Sequence, residues 1–497
     1  MEIFWDFFET KKFEVLLRQK NMMKQVQISK GLTRKVWQQL ETSLVPIVSK
    51  EDLLKLDTDI DDLNSNIRSN SYMPGTGHGY FGVEKRLGVT RFLPILSRID
   101  MAVYYQLCGE LGDLVLINRA DIYGGWQVVP QPEGTEDLDR NSRNEVIAAR
   151  YQQGYFQDTL SNSAWFQGFK SFTQLITKLI EKKDGYGNYV AITDVANFYD
   201  SIDVFRLISK LRNRLPEYSS HLELLQVFLN FWNRRSTGYQ ASTKGLPQEI
   251  ISDGSRNLSH FYLQDFDDQF SAYCELEGLR YVRWADDMLV FGPSPQKLEA
   301  AMHKASRMLL VEGLNLSAPK TKIMGKRQFS KYRGLDVLDS INAKNVDEYR
   351  KRRDAAMRRH RRGEGLKLDT IFRASLGFLA QRPHIVTVSD QTFLWNTITE
   401  NPDLLGSMNA QQCLSFVRLT APPSRGFAKL LNTALLKDVA APKAVLLSLI
   451  RNHSKRLEKV GVTKTAQRNA MNDIFDKSTD SDLIQNWCIP AARRAVD

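Results

Sequence analysis

Residues 281–291 read YVRWADDMLVF, and the adjacent aspartates of this stretch, Asp286 and Asp287, are flanked on both sides by apolar residues that favour β-strands. Neighbouring strand residues point to opposite faces, so a hairpin with the acidic pair at its turn exposes both carboxylates while the flanks stay buried. Adjacent carboxylates repel each other, and a divalent cation that prefers oxygen ligands, such as Mg²⁺, relieves this repulsion. The pair by itself is equally compatible with an acidic β-turn that binds no metal.

Two upstream stretches give the pair its meaning. Residues 189–202 read YVAITDVANFYDSI, which predicts a buried strand that ends at Asp194 and precedes a helix capped by Asp200 or Ser201. Residues 244–258 read KGLPQEIISDGSRNL, a Gly-Pro loop that leads into an amphipathic helix. A carboxylate at a strand end beside an acidic hairpin would complete a two-metal site of the kind that clamps both oxygens of an in-line phosphoryl transfer.

The three stretches together resemble motifs A, B and C of the reverse-transcriptase palm, as in retron and group II intron enzymes. Shorter similarities to motif D, to the motif E hairpin and to the fingers segment extend the resemblance over about residues 85–340. The matching stretches are motif A at 194–202, motif B at 245–258, motif C at 284–287, motif D at 313–322, motif E at 332–335 and the fingers segment at 91–100.

The resemblance implies a set of metal ligands for two Mg²⁺ ions, for which Mn²⁺ could substitute. The implied ligands are the carboxylates of Asp194, Asp286 and Asp287 and the backbone carbonyl of Val195. It also implies that Tyr199 fills the space of a ribose 2′-hydroxyl, so that the substrates are deoxynucleoside triphosphates.

Three further residues receive roles near the nucleotide. Gln248 would lie beside it, and Lys320 would assist the pyrophosphate leaving group, with Lys322 as the alternative. Arg91 would hold the triphosphate as a bidentate fork, with Arg98 as the alternative.

The chain departs from the family pattern around motifs B and C. Trp284 replaces the usual Tyr or Phe, which changes the surface near a primer end. Glu249 follows Gln248 where relatives usually carry Gly, and two extra residues separate Gln248 from Ser255. A negative, bulky residue beside the templating region predicts weakened template handling and intact metal chemistry.

The net charge of +11 is confined to the C-terminal third. Residues 341–497 contain 26 Lys and Arg against 15 Asp and Glu, and the rest of the chain is neutral. A cationic surface of this kind suits a phosphate backbone, although a solvated basic helix is the alternative. The residues predicted to contact nucleic acid are Arg352, Arg353, Arg358, Arg359, Arg361 and Arg362.

We therefore predict an α+β fold with three parts: an N-terminal region with fingers over 1–188, a palm over 189–340 and a basic, all-helical domain over 341–497 in place of a thumb. This layout is similar to abortive-infection and related defence-associated reverse transcriptases of bacteria. The resemblance implies a homo-oligomer that synthesises single-stranded DNA, primed from a protein hydroxyl and without a template. The alternatives are a templated enzyme of retron or group II type that copies RNA, and a noncatalytic palm that binds nucleic acid.

Composition excludes other classes of protein. No apolar stretch approaches the ~20 residues that a membrane helix needs, and the acidic, aromatic N-terminus is not a secretory signal. The four cysteines are scattered without zinc or disulfide spacing. We expect a cytoplasmic protein without a membrane partner.

Overall fold

A computed structural model describes most of the chain. The described residues are 26–86, 89–117, 119–124, 164–181, 187–233, 245–248, 253–478 and 481–497.

The N-terminal part combines helices α1 (Lys30–Thr42), α2 (Lys50–Arg68) and α3 (Arg98–Val115) with a hairpin of β1 (Gly79–Arg86) and β2 (Val89–Ile95). Serines cap all three helices by accepting a backbone N–H of the first turn. The elements pack into one apolar core that continues into the rest of the molecule.

The central part holds a five-stranded sheet among the described residues, with the order β3-β5-β6-β4-β7. Only the β3–β5 pair is parallel. The elements of this part are β3 (Ile122–Tyr123), α4 (Ala164–Glu181), β4 (Tyr189–Asp194), α5 (Phe198–Ser201), α6 (Val204–Arg214), α7 (Ser219–Phe231), α8 (Asp253–Leu276), β5 (Arg280–Trp284), β6 (Asp287–Gly292), α9 (Pro295–Val311), β7 (Lys322–Gly325), α10 (Lys326–Arg333) and α11 (Leu335–Asn342).

Alternation along β4 gives the sheet its two faces. Val190 and Ile192 contact the core cluster that includes residues of α4 and α10, while Ala191 belongs to the larger core. Asp194 follows Val190 and Ile192 at the period of two, so its carboxylate lies on the same face as that aromatic-rich cluster, at the end of the strand. The sheet thus presents an acidic edge beside an apolar support.

The C-terminal part is helical throughout the described residues from 346 onward, apart from connecting turns. Its helices are α12 (Val346–Arg361), α13 (Leu368–Ala380), α14 (Val388–Glu400), α15 (Asp403–Gly406), α16 (Ala410–Leu419), α17 (Pro423–Leu435), α18 (Ala440–Lys459), α19 (Lys464–Asp476) and α20 (Ile489–Val496), with a π-helical turn at Ile484–Cys488. This agrees with the helical reading of the C-terminal third, whereas the boundaries proposed at 188 and 340 remain predictions.

The C-terminal helices contact the N-terminal part as well as the palm. Lys437 forms ion pairs with Glu84 of β1, at 2.7 Å, and with Asp403. Arg451 donates to the carbonyls of Thr42, at 2.8 Å, and Ser43, at 2.6 Å. The contacts with Glu84, Thr42 and Ser43 join regions that lie more than 350 residues apart in sequence.

Three local predictions are wrong. The apolar sequence LVLI at 114–117 predicts a strand, but no strand forms there, because the buried i, i+4 pattern of Leu107, Leu111 and Val115 continues α3 to Val115. Motif E is not a hairpin. Residues 326–333 form α10, which ends where Gly334 adopts φ +65°. The four glycines at 75, 77, 79 and 82 predict a flexible loop, but only the first half of this stretch is a loop, since β1 starts at Gly79.

The remaining corrections and agreements are brief. Asp203, rather than Asp200 or Ser201, caps the helix after motif A by accepting the N–H of Arg206. All four cysteines are free and buried. Within the described residues, no helix combines the length and the apolar character that crossing a bilayer requires.

Candidate active site

The candidate site lies where β4 and β6 pair at the edge of the sheet. Asp194 and Asp287 stand directly opposite each other in this antiparallel pair. Opposed residues of such a pair have Cα atoms about 4.5–5.5 Å apart and side chains on the same face. Asp286 precedes Asp287 in the turn, so the structure brings all three predicted carboxylates to one edge.

The turn between β5 and β6 has two residues, Ala285 and Asp286, since Trp284 pairs with Asp287. Ala285 adopts φ +51°, a conformation that L-residues with a Cβ rarely adopt. Its N–H donates to the carbonyl of Tyr123 at 2.9 Å, and its carbonyl accepts from Arg283 at 2.6 Å. The acidic turn is therefore held on both sides by fixed donors and acceptors.

Asp194 is 3% exposed, and its two carboxylate oxygens have different surroundings. Oδ2 accepts from the Nζ of Lys320, whereas Oδ1 is buried and has no hydrogen-bond partner. Val195 forms an isolated bridge with Leu316 through the N–H of Ala196 and the carbonyl of Asp194. Neither hydrogen bond of this bridge involves the carbonyl of Val195.

Asp287 lies near another carboxylate and near two basic side chains, which act on its pKa in opposite directions. Burial raises the pKa of Asp287; Lys367 and Arg333 act in the opposite direction, and repulsion from Asp286 adds to the increase. The pKa of Lys320 is lowered by partial burial and by the neighbouring Arg91 and Lys367.

These residues fit a divalent cation by the chemistry of the donor set. Three carboxylates lie at one edge, one buried oxygen of Asp194 lacks a partner, and burial together with repulsion from Asp286 raises the pKa of Asp287. Within the described parts of the chain, however, no three acidic, His or Cys side chains already converge on a single metal position. One oxygen of Asp194 contacts Lys320, and the other has no hydrogen-bond partner.

The motif B loop packs directly onto motif A. Gly245 adopts φ +65°, and a Cβ at this position would overlap the carbonyl oxygen of Tyr199. That carbonyl accepts from the N–H of Leu246 at 2.9 Å. Gln248 follows in the same loop and is half-buried, while Glu249 lies outside the described residues.

The helix after motif B ties the same loop to the N-terminal part. Ser255 donates to the carbonyl of Pro247 and lies 2.8 Å from the hydroxyl of Tyr104 on α3. The loop is therefore fixed at both ends.

The structure separates the rival cations. Lys320 contacts Asp194, whereas Lys322 lies over the ring of Tyr332 at 5.9 Å. Arg91 is exposed on β2 and acts electrostatically on both Asp200 and Lys320.

Arg98, the alternative to Arg91, has structural partners within the N-terminal part. It pairs with Asp52 and Asp59, both at 3.1 Å, and lies over the ring of Trp37 at 5.2 Å. The geometry favours Lys320 and Arg91 for the roles near the triphosphate, and both roles remain predictions.

Trp284 supports the sheet from the acidic face. Its ring lies 5.3 Å from those of Phe169 and Phe172 and 6.4 Å from that of Tyr123. The substitution predicted to alter the primer surface therefore also fills an aromatic cluster behind the turn.

The basic segment of α12 divides into two classes. Arg353 is fully buried, pairs with Asp390 and stacks against Tyr349 and Phe393. It cannot contact nucleic acid in this conformation, so its assignment to the cationic surface is wrong. Tyr349, a tyrosine beside the basic cluster whose hydroxyl could be considered as a primer, is also fully buried in this conformation.

Of the other arginines predicted to contact nucleic acid, three form ion pairs and two are exposed without one among the described residues. Arg352 pairs with Glu348 at 2.6 Å, Arg359 with Asp336 at 3.5 Å and Arg361 with Glu400 at 3.7 Å. Arg358 and Arg362 are exposed, and neither pairs with a carboxylate of the described residues.

Sequence reasoning missed two cations that act on Asp287. Arg333, at the end of α10, lies over the rings of Phe172 at 5.3 Å and Phe329 at 5.8 Å. Lys367 precedes α13, and its N–H donates to the carbonyl of Tyr332 at 2.9 Å. Motif E marks the position of Arg333, but no sequence signal predicts that a loop of the C-terminal part reaches the palm.

Comparison with known proteins agrees with this geometry. Residues 144–337 match the family described as reverse transcriptase (RNA-dependent DNA polymerase). This segment is a reverse transcriptase domain. A retron Ec83 reverse transcriptase of Escherichia coli is 26% identical over 126 residues, which cover 25% of this chain and 38% of the relative. The chain thus spans well under half the length of that curated relative.

Among solved structures, the chain is similar to an apo telomerase from Candida tropicalis truncated from its C-terminal domain. The identity is 9%, the match covers 55% of this chain and 63% of that one, and the TM-score is 0.27. A TM-score of this size does not establish a shared overall fold.

Proposed function

We propose that the protein is a magnesium-dependent nucleotidyltransferase that adds deoxynucleotides to a growing DNA strand. The observation that carries the proposal is the direct opposition of Asp194 and Asp287, with Asp286 in the adjoining turn, inside a reverse transcriptase domain. When bound, two divalent cations would stabilise the attacking and leaving oxygens of an in-line phosphoryl transfer.

The protein's own residues would divide the remaining work. Asp194, Asp286 and Asp287, with the Val195 carbonyl, would hold the cations. Tyr199 would exclude a 2′-hydroxyl, and Gln248 would contact the nucleotide across the loop that Gly245 makes possible.

Two basic side chains complete the proposed division of roles. Lys320 and Arg91 would neutralise the triphosphate, since Lys320 contacts Asp194 and Arg91 acts electrostatically on Asp200 and Lys320. Displacement of Lys320 from Asp194 would then accompany substrate and metal binding.

We further propose that synthesis is independent of a template, primed by a protein hydroxyl, and serves bacterial anti-phage defence in the cytoplasm, with the chain acting as an oligomer. The support is the resemblance in layout to abortive-infection reverse transcriptases, the altered motif B, and a helical C-terminal part that contacts both palm and N-terminal part. The competing proposal is a templated enzyme, which the similarity to a retron reverse transcriptase favours.

Synthesis without added nucleic acid separates the two. The purified protein is treated with nuclease, repurified and incubated with Mg²⁺ and deoxynucleotides alone, and any product is sequenced. DNA that stays with the protein through phenol extraction supports protein priming. A strict requirement for an added template overturns template independence and supports the templated enzyme, and no synthesis under either condition overturns the polymerase proposal.

A further inference from the structure

Arg283 is a fully buried cation immediately before the motif C turn. Its side chain is 1% exposed, and that of its partner Asp267, on α8, is 2% exposed. The Nε of Arg283 donates to Oδ1 of Asp267 at 2.9 Å, and Nη2 donates to Oδ2. Tyr281 also donates to Oδ1 of Asp267, at 2.9 Å.

The third nitrogen of the guanidinium does something that the ion pair does not require. Nη1 donates to the carbonyl of Ala285 at 2.6 Å, within the two-residue turn that carries the carboxylates. Ala285 is in the left-handed region, where an alanine is strained without external support. The backbone of Arg283 is itself fixed, because its N–H donates to the carbonyl of Asp121 at 2.9 Å.

We propose that Arg283 is a positioning residue that fixes the turn of Asp286 and Asp287 relative to Asp194, and that Asp267 on α8 holds Arg283 in place. The inference rests on the proposed function, because it assigns a role in placing the carboxylates that would bind the cations. It also connects the helix that follows motif B with the backbone of the motif C turn through the side chains of Asp267 and Arg283.

The planar guanidinium is the feature that makes this possible. It presents five N–H donors in a rigid fork, so one side chain can grip both oxygens of Asp267 and the Ala285 carbonyl together. A lysine keeps the charge beside Asp267, but its single ammonium lacks this planar fork geometry. Arg283→Lys therefore releases the turn while keeping a cation beside Asp267.

The experiment measures cation binding directly as well as synthesis. Mn²⁺ serves as the probe, and free Mn²⁺ is counted by electron paramagnetic resonance during a titration of the full-length protein. We expect Arg283→Lys to weaken Mn²⁺ binding about tenfold, as for other residues that orient metal ligands. We expect the rate of deoxynucleotide incorporation to fall by about 10²-fold with little change in the nucleotide KM, because the ligands are misplaced while the nucleotide pocket is intact.

A matched pair of variants distinguishes positioning from loss of stability. Asp267→Asn weakens the hold on Arg283, and Asp390→Asn weakens the similarly buried pair of Arg353 in the C-terminal part. Both should lower the melting temperature, but only Asp267→Asn should change the Mn²⁺ affinity. This pair also decides the matter if Arg283→Lys does not fold.

Each outcome has a distinct meaning. Wild-type Mn²⁺ affinity in Arg283→Lys, or an equal loss of affinity in Asp267→Asn and Asp390→Asn, overturns the positioning role and leaves the proposed function intact. A wild-type protein that neither binds Mn²⁺ nor incorporates deoxynucleotides overturns the proposed function itself.

Discussion

The palm and the C-terminal helical part each place an aspartate among cations, but the two carboxylates differ in how fully their charge is compensated. Asp390 in the C-terminal part is held by Arg350, at 2.8 Å, and by Arg353. Burial alone would raise the pKa of Asp390, but hydrogen bonds from Arg350, Thr387 and Arg353 bring it down to about 2. Its charge is fully compensated.

Asp287 in the palm is half-buried without such compensation, and its pKa is raised. Its neighbour Asp194 keeps one buried oxygen without a partner. The difference teaches that a buried carboxylate with complete hydrogen bonding serves the fold, whereas one left incomplete marks a place for a ligand.

The largest expected effect tests the incomplete side of this comparison. Asp287→Asn should reduce nucleotide incorporation by about 10³-fold or more, because a metal-bound transition state loses several kcal/mol of stabilisation. The folded state should remain at least as stable, because the change removes a repelling charge. Incorporation is measured with radiolabelled deoxynucleotides, and unchanged synthesis would exclude Asp287 as a ligand.

The complementary change tests the compensated side. Asp390→Asn should lower the free energy of unfolding by about 3–5 kcal/mol, the usual result of breaking a buried ion pair. Denaturant unfolding measures this loss, and the Mg²⁺ dependence of synthesis serves as the control that should not move.

The same residue gives a pH dependence with a definite sign. The pKa of Asp390 falls from the usual 3.8 to about 2 on folding. Its contribution to the free energy of unfolding is therefore complete above pH 3.8 and is lost as the pH falls towards 2. The stability difference between wild type and Asp390→Asn should therefore shrink over that interval. A constant difference would contradict the role of the charge.

The contact between motifs A and B can be tested by adding one methyl group. Gly245→Ala should cost about 3 kcal/mol of stability and reduce incorporation, because its Cβ meets the Tyr199 carbonyl in addition to the left-handed strain. Gly278 has a nearly equal φ of +67° and open space around it. Gly278→Ala should therefore cost only about 1 kcal/mol, and equal losses would show that the close approach has no effect.

Tyr199→Ala probes substrate choice at the same contact. Removal of the ring should increase ribonucleotide incorporation relative to deoxynucleotide incorporation by about tenfold, a difference of about 1.4 kcal/mol. The ratio is measured from kcat/KM for matched nucleotide pairs. Phe198→Leu, one position earlier in the same helix, serves as the control, and an unchanged sugar preference in Tyr199→Ala would remove the proposed gate.

The smallest expected effect is on nucleic-acid binding, and it concerns the exposed arginines at the C-terminal end of α12. Arg358→Ala and Arg362→Ala should each reduce the slope of log binding constant against log salt by about 1, if each neutralises one phosphate. Binding of single-stranded DNA is followed by fluorescence anisotropy at several salt concentrations. The exposed Lys464 on α19 provides the control, and an equal change in Lys464→Ala would show that α12 is not a dedicated contact surface.

The central sheet and its acidic edge were predictable because local signals determine them. Alternation in 189–194 fixes which face Asp194 occupies, and the two-residue turn places Asp286 and Asp287 at the strand end. The family match over 144–337 agrees with that prediction. The chemical need for clustered carboxylates and the period of the strand point to the same residues.

The basic segment shows where a local reading fails. Charge alone assigned Arg353 to the surface, although Tyr349, Arg353 and Ala356 follow the spacing of a buried helical stripe. A buried arginine needs a carboxylate partner, and Asp390 lies 37 residues further along the chain. Pairings of this range are set by tertiary packing, which also explains why Lys367 near Asp287 was missed.

Arg283 is an intermediate case. A charged residue between the apolar strand residues Val282 and Trp284 signals a buried partner, and Asp267 lies on the same helix that the sequence predicts after motif B. The partner could have been proposed from these two facts, but the donation to Ala285 depends on a turn conformation that the sequence does not specify.

The ion pair of Lys437 with Glu84 and the hydrogen bonds of Arg451 attach the last third of the chain to the N-terminal part. Removing residues 341–497 would therefore strip the N-terminal part of its cationic partner for Glu84 and uncover the carbonyls of Thr42 and Ser43. The truncated protein would be a different molecule with an altered N-terminal part, so loss of activity on truncation would not identify the C-terminal helices as catalytic. Point substitutions are the sound way to dissect this protein.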